Sequence, residues 1–355
     1  MNDFVEKNRE KLAAFVRVSS SIGARSDYVQ GGGGNTSVKL DGSTMAIKAS
    51  GFCLADITVD NAYAVLDYAR VRQFYTQHEA VAFPDVEKAG AAEAKAAVFV
   101  PDGLPALRPS VEAGFHSLLD TFVAHSHSVY ANLAACAGEM EPILANALAG
   151  ADYSYGFVPY VDPGATLTFS IRDELARVEK ATGKRPAVLF MQNHGVIAHS
   201  DDPDACLRIH TDVNARVAAA FGVTGDAFPA VRVANDGAEG AFVSATPYLA
   251  THLQGDAYPD AMLLSEPLYP DQLVFFTGTL GETAVIDRKS GLVHYRGMPE
   301  KTAKTMEETL TAVVFITEHI RAAGYTLSTM GEAAKKFIAN WESEKYRKSL
   351  QGGKQ

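Results

Sequence analysis

The spacing of apolar positions along this 355-residue chain changes repeatedly between helical and strand periods, and the changes mark out its elements. Residues 3–22 place Val5, Leu12, Phe15 and Val16 at helical intervals, with Gly23 as the stop. TSVKL and TMAIKA then alternate about Asp41-Gly42, which predicts a β-hairpin. Ile57, Val65, Leu66, Ala69 and Phe74 predict a helix over 56–76, and the Ala-, Pro- and Gly-rich stretch 80–107 reads as connection. Val111, Phe115, Leu118 and Phe122 suit a one-sided helix with Ser110 as its N-cap, and the apolar run at 122–124 then opens a strand.

Helical spacing returns over 129–149 and 171–182, separated by an aromatic connection at 153–160. Residues 187–191 form an apolar strand that reaches Asn193-His194-Gly195 and continues through 196–198. Asp202-Pro203 starts a helix with Cys206, Ile209, Val213 and Val217 on its stripe. Periodicity is lost over 223–260, which reads as a linker. LVFFT (273–277) and TAVID (283–287) are predicted strands, and DRKSG turns the second back into LVHY. A helix follows over 300–323, with Met306, Leu310, Val313 and Ile320 on one face, and a last helix over 329–349 carries Trp341. No repeat is visible. The expected division is a catalytic domain at 1–225 and a smaller α+β extension at 226–355.

Composition narrows the function. With 47% apolar and 21% charged residues, the chain reads as a soluble globular protein. A net charge of −10 argues against a nucleic-acid partner or an anionic membrane surface. The N-terminal MNDFVEKNREK has no apolar signal region, and no run approaches the ~20 apolar residues that span a bilayer. Cys53, Cys136 and Cys206 are far apart and form no C-x-x-C, so a reducing cytoplasm is expected.

The chemistry concentrates in RPSVEAGFHSLLDTFVAHSH, residues 108–127. Residues i and i+2 of a strand share a face, so His125 and His127 can converge on one ion. His194 is a third candidate ligand and Glu112 a carboxylate at the start of a helix, which together outline a catalytic metal site with a position left open. His116, four residues after Glu112, shares its helix face, which offers a way to orient it, but a core or surface histidine is the plainer account. Each feature has a plainer account alone. The chain has ten histidines, so a His-x-His arises by chance, and Glu112 is favourable near any helix N-terminus. The glycines at 31–34 let main-chain N–H groups approach an anion, but alone they are also an ordinary surface loop. They open onto a hairpin without Gly-Lys-Ser/Thr, which excludes a P-loop and a dinucleotide fingerprint. It is the combination that points to a metal enzyme.

Five motifs, in order, carry a resemblance: Gly34-Asn35-Thr36-Ser37, Lys48-Ala49-Ser50-Gly51, Pro109-Ser110-Val111-Glu112, His125-Ser126-His127 and His194-Gly195. In these the chain resembles the class II aldolase/adducin family, which includes fuculose- and rhamnulose-phosphate aldolases, over about residues 8–222. The remainder is similar to the aldolase half of bifunctional rhamnulose-phosphate aldolase/alcohol dehydrogenases. The resemblance implies an α/β fold with a central, mainly antiparallel sheet flanked by helices, and assembly as a homo-oligomer, usually a tetramer. It implies His125, His127 and His194 as ligands of a divalent ion, expected to be zinc, and Glu112 as the acid/base beside it. It also implies a phosphate pocket from Asn35, Ser50, Gly51 and Ser110, with main-chain N–H groups at Gly34 and Gly51 anchoring the phosphate.

One departure is Val111, where the sugar-phosphate aldolases often carry a second hydroxyl residue. Tyr153 and Tyr155 lie in the region of the family's tyrosine proton donor, with neither singled out. The reaction implied is retro-aldol cleavage of a ketose 1-phosphate or related sugar through an enediolate that the metal stabilises as a Lewis acid. The alternatives are 4-epimerisation or decarboxylation of a sugar phosphate on the same fold, and a non-catalytic adducin-like binding protein.

Overall fold

In the computed structural model, which describes residues 3–340, the stretch after the glycines folds as the expected hairpin. Strands β1 (Asn35–Lys39) and β2 (Thr44–Lys48) pair antiparallel with Lys39 opposite Met45. Asp41 closes the turn by accepting from the main-chain N–H groups of Ser43 and Thr44. Around this hairpin grows an eight-stranded sheet with β3 (Tyr63–Asp67), β4 (Val98–Phe99), β5 (Phe122–Ser126), β6 (Tyr155–Val158), β7 (Val188–Met191) and β8 (Gly195–Ser200). The order is β4-β3-β2-β1-β5-β8-β7-β6, and every pair is antiparallel except β6–β7. The expected mainly antiparallel sheet flanked by helices is thus present, mixed by its one parallel pair.

This sheet belongs to the first of two compact units, which holds the described residues through Arg25, Gly34–Ser126 and Leu148–Val213. Its core joins Met45, Ile47, Leu66, Leu189 and Ile197 from the strands to Val71, Tyr75, Phe115, Phe169 and Leu175 from helices. Helix Arg9–Gly23 adds buried Leu12, Phe15, Val18 and Ile22, with Phe15 edge-on to Tyr63 of β3. Strand β5 lies between β1 and β8, with His125 opposite both Asn35 and Ile197. That central position brings residues from distant parts of the chain to one place.

Several elements differ from the sequence expectation. The predicted helix over 56–76 is strand β3 followed by helix Tyr68–Gln77, which Asp67 caps by accepting from Arg70 N–H. The stretch 80–107 contains helix Val86–Ala97, capped by Asp85, whose alanines are too evenly spread to show a stripe. The helix expected from Ser110 to Phe122 is only Ala113–Leu118, with Glu112 at the cap position. The 129–149 stretch is two helices, Val129–Ala135 and Met140–Ala147. The aromatic connection at 153–160 contains β6, the sheet's edge strand. Residues 187–198 are not one interrupted strand but the β7–β8 hairpin, with Met191 opposite Gly195 and Asn193 at φ 52° in its turn. Asn is one of the few non-glycine residues that accept such a conformation.

The second unit holds Ser26–Gly33, His127–Ala147 and the described residues from Asn214 on, so neither unit is a single stretch of chain. Its four-stranded antiparallel sheet runs β11-β12-β10-β9, from β9 (Val233–Asn235), β10 (Ala241–Ser244), β11 (Ala284–Ile286) and β12 (Val293–Arg296). Strands β9 and β10 fall in the expected linker, each too short to show a period. LVFFT is not a strand. Residues 273–276 lie in helix Pro270–Phe276, with Pro at its start and Thr277 as its extended cap, because a short apolar run satisfies either period. Helix Glu300–Ala322 is the unit's spine, with Phe315 edge-on to Tyr130. Inside the unit, buried Glu307 accepts from Ser244 and Tyr295. Of the last expected helix, Glu332–Asn340 is present, and Trp341 and the residues after it lie outside the described residues. Among the described residues, no helix is long and apolar enough to cross a membrane.

Candidate metal centre

His125, His127 and His194 are all buried, and each offers one ring nitrogen, the three lying within 4.8 Å of one another. Strand β5 supplies His125 near its end and His127 just past it, and the β7–β8 turn supplies His194 immediately before Gly195. His194 N–H donates to Met191 O, which holds it on the tight turn.

Two of the rings have their tautomer set by an acceptor that has no proton to give. His125 Nδ1 lies 3.1 Å from the Val196 carbonyl, and His127 Nδ1 lies 2.5 Å from a carboxylate oxygen of Asp271. In the neutral ring Nδ1 then carries the hydrogen, which leaves Nε2 the lone pair that a metal needs. Imidazoles that are buried and fixed in this way suit a divalent ion, with zinc the ordinary occupant of such nitrogen sites. The residues fit the group that the family resemblance implies.

Glu112 stands beside them. Its Oε1 is 3.3 Å from His194 Nε2 and its Oε2 is 3.7 Å from His125 Nε2, and the residue is 6% exposed. A chain of hydrogen bonds fixes this carboxylate. Asn35 Nδ2 donates to Glu112 Oε2, and Asn35 Oδ1 accepts from His116 Nε2. Ser37 Oγ in turn sits 2.7 Å from His116 Nδ1. Because Asn35 must use its NH₂ group on the carboxylate, its oxygen faces His116, which makes His116 the Nε2–H tautomer and Ser37 the donor. Burial holds His116 well below the usual imidazole range, so it stays neutral. His116 therefore reaches Glu112 through Asn35. The plainer expectation, a core histidine, holds for its burial, while Glu112 sits at the cap and not on the helix face, so the link runs through Asn35.

The candidate anion-binding residues also come together. Ser110 N–H donates to Lys48 O and Ser50 N–H to Arg108 O, so 108–110 runs alongside 48–50. Ser110 Oγ accepts from Asn35 Nδ2 at 3.2 Å and from Glu112 N–H at 3.3 Å, which leaves its own O–H to donate. Ser50 Oγ is different, because it donates to the Pro109 carbonyl at 3.0 Å. Gly34 and Gly51 have φ of 65° and 88°, conformations that a side chain disfavours. Tyr153 donates to Asp212, and Tyr155 opens β6, three strands from β5 in the sheet. On the other side of β5, Ser126 Oγ pairs with His210 Nε2 at 2.7 Å, as strand alternation requires.

Sequence reasoning missed Asp271, Asn35 as the link to Glu112, and Lys39. Lys39 donates to the carbonyls of His116, Leu119 and Asp120, closing the far end of the Glu112 helix. The strand explains two of them. Asn35, Ser37 and Lys39 are polar at alternate positions of a strand whose every residue is buried.

Among curated proteins, none matches the chain. Solved structures do. The N-terminal class II aldolase domain of a conserved protein from Thermoplasma acidophilum is 23% identical, with a TM-score of 0.46, covering 57% of this chain and 90% of that one. An aldolase II superfamily protein from Pseudomonas syringae is 12% identical, with a TM-score of 0.43 and coverages of 61% and 75%. L-fuculose-1-phosphate aldolase from Thermus thermophilus is 16% identical, with a TM-score of 0.37 and coverages of 59% and 92%. The family model for the class II aldolase and adducin N-terminal domain matches residues 13–219, more than half of the sequence and the part that carries all three histidines and Glu112, and the chain belongs to that family.

Proposed function

We propose that the protein is a metal-dependent aldolase that cleaves a ketose 1-phosphate by a retro-aldol reaction. The observation that carries this reading is the Glu112 carboxylate, held 3.3 Å and 3.7 Å from the Nε2 atoms of two of the three clustered histidines. A divalent ion on His125, His127 and His194 would supply Lewis acidity toward substrate oxygens. Glu112 is the proton-transfer group. When the carbon–carbon bond breaks, the hydroxyl on the departing aldehyde carbon gives its proton to water, which returns one to the Glu112 carboxylate, and the bonding electrons remain on the ketose fragment. Glu112 then delivers a proton to that fragment's carbon as general acid, or removes it in the synthetic direction. Asn35 and His116 hold the carboxylate in place, so that little reorganisation is needed at the moment of transfer.

The phosphate would bind at Ser110 O–H and at the main-chain N–H groups near Gly34 and Gly51, anchoring the unreactive end of the substrate. Ser110 is the hydroxyl with a proton to spare, and Val111 offers no second one. A sugar phosphate of the fuculose or rhamnulose type fits this arrangement. The similarity of the C-terminal part to the aldolase half of the bifunctional rhamnulose-phosphate enzymes belongs to the same reading.

The test is a cleavage screen of ketose 1-phosphates and the corresponding free sugars with zinc-loaded protein, detecting dihydroxyacetone phosphate directly. Release of that fragment is the expected result. Epimerisation or carbon dioxide release without cleavage would replace the aldolase with another reaction at the same centre.

A further inference from the structure

We propose that Asp271, which lies beyond the residues that define the family, is a positioning residue for the metal centre and holds His127 with its Nε2 presented to the ion. Both residues lie in the second unit, and their contact spans 144 positions of sequence. Asp271 is fully buried in helix Pro270–Phe276, one residue after the proline that starts it. A buried carboxylate is costly unless it is paired and hydrogen-bonded. Here one oxygen accepts from His127 Nδ1 at 2.5 Å. A ligating imidazole that donates its other nitrogen to a carboxylate is fixed in tautomer and ring orientation and becomes a stronger base toward the ion.

The glycine-rich segment gives an independent sign that this pair is built into the fold. A Cβ on Gly33 would lie 2.6 Å from Asp271 Oδ2 and 3.0 Å from His127 Nδ1, so only glycine leaves room for the two to meet. Within the same unit, Gly31 N–H donates to Glu308 Oε2 at 3.0 Å, tying the loop to helix Glu300–Ala322. The C-terminal part of the chain thus supports the end of the His-x-His motif, and the third glycine of the run has a steric reason to be there. This role rests on the three-histidine reading of the metal centre.

The test measures zinc affinity of the full chain by competition with a chromophoric chelator, together with melting temperature, for wild type, Asp271→Leu and Asp271→Asn. Leu keeps the branched shape but removes the acceptor, and zinc affinity should fall about 10–100-fold. Asn keeps an oxygen for His127 Nδ1 but loses the charge, and its affinity should lie between the other two. A merely structural role would lower the melting temperature and leave zinc affinity of the folded protein unchanged, which would overturn the proposal. If Asp271→Leu does not fold, an Asn variant that binds zinc as tightly as wild type would overturn it as well. A wild-type protein that binds no zinc would instead remove the metal centre, and the role of Asp271 with it.

Discussion

Asn35 donates its side-chain amide to Glu112 across 77 positions of sequence. It does so from the first residue of β1, and the same strand face continues the contact. Ser37 reaches His116, and Lys39 takes the carbonyls at the end of helix Ala113–Leu118. Alternate residues of one strand therefore fasten the Glu112 helix at its start, middle and end, so that a short helix of marginal intrinsic stability presents its carboxylate rigidly.

The centre should hold about one zinc ion per chain through its three imidazoles. Elemental analysis of His125→Ala is expected to show that ion lost. Wild-type zinc content in that variant would remove His125 from the ligand set.

Glu112→Gln keeps the shape of the side chain but cannot shuttle a proton at neutral pH. Turnover should fall by about 10²–10⁴-fold while zinc and melting temperature stay near wild type. Loss of zinc along with activity would make Glu112 a metal ligand, and normal turnover would falsify its role as the acid/base.

His116→Leu strands the Asn35 oxygen and the Ser37 hydroxyl in the interior. The cost should be about 1–3 kcal/mol for each group left unpaired. Turnover should drop as well, because Asn35 is then free to rotate its amide away from Glu112, and zinc should be retained. Urea denaturation and kcat on one preparation check both effects. A folded variant with normal kcat would show that Glu112 does not depend on this relay.

Ser110→Ala removes the hydroxyl that donates in the proposed phosphate pocket. Hydrogen bonds to charged groups are worth about 1.5–3 kcal/mol, so KM for a phosphorylated substrate should rise about tenfold or more. KM for the matching free sugar should barely change. Equal effects on both substrates would place the phosphate elsewhere.

Acid stability offers a further check. Burial raises the Asp120 carboxyl, but the hydrogen bond from His199 and the charges of His199, Arg185 and Lys39 outweigh it and leave it below its ordinary 3.8. On acidification the unfolded chain takes up this proton first, so the contribution of Asp120 is full above pH 3.8 and is lost as pH falls through the lower folded value. Asp120→Asn should therefore be less stable at neutral pH and lose less on acidification. Urea midpoints across that range decide it, and parallel pH profiles for the two proteins would contradict the assignment.

Local pattern by itself determined a good deal. The Asp41-Gly42 turn set the hairpin, and the His-x-His spacing pointed to two imidazoles at one ion, although β5 ends at Ser126 and His127 lies just past it. The helix at 300–323 and the core stripe of Cys206 were equally legible, because 3.6- and 2-residue periods are properties of neighbouring positions. Tertiary structure decided the rest. LVFFT reads as a strand and its first four residues fold as a helix, since an apolar run this short shows no polar face to reveal its period. The edge strand β6 was hidden in an aromatic stretch, because its partner β7 comes some thirty positions later. Asp271 shows the limit most clearly. Nothing near it in sequence marks an acid at the start of a short apolar helix as the partner of a histidine 144 positions away. Burying that carboxylate is tolerable only where the fold delivers a donor, and which donor arrives depends on long-range packing that no local period encodes.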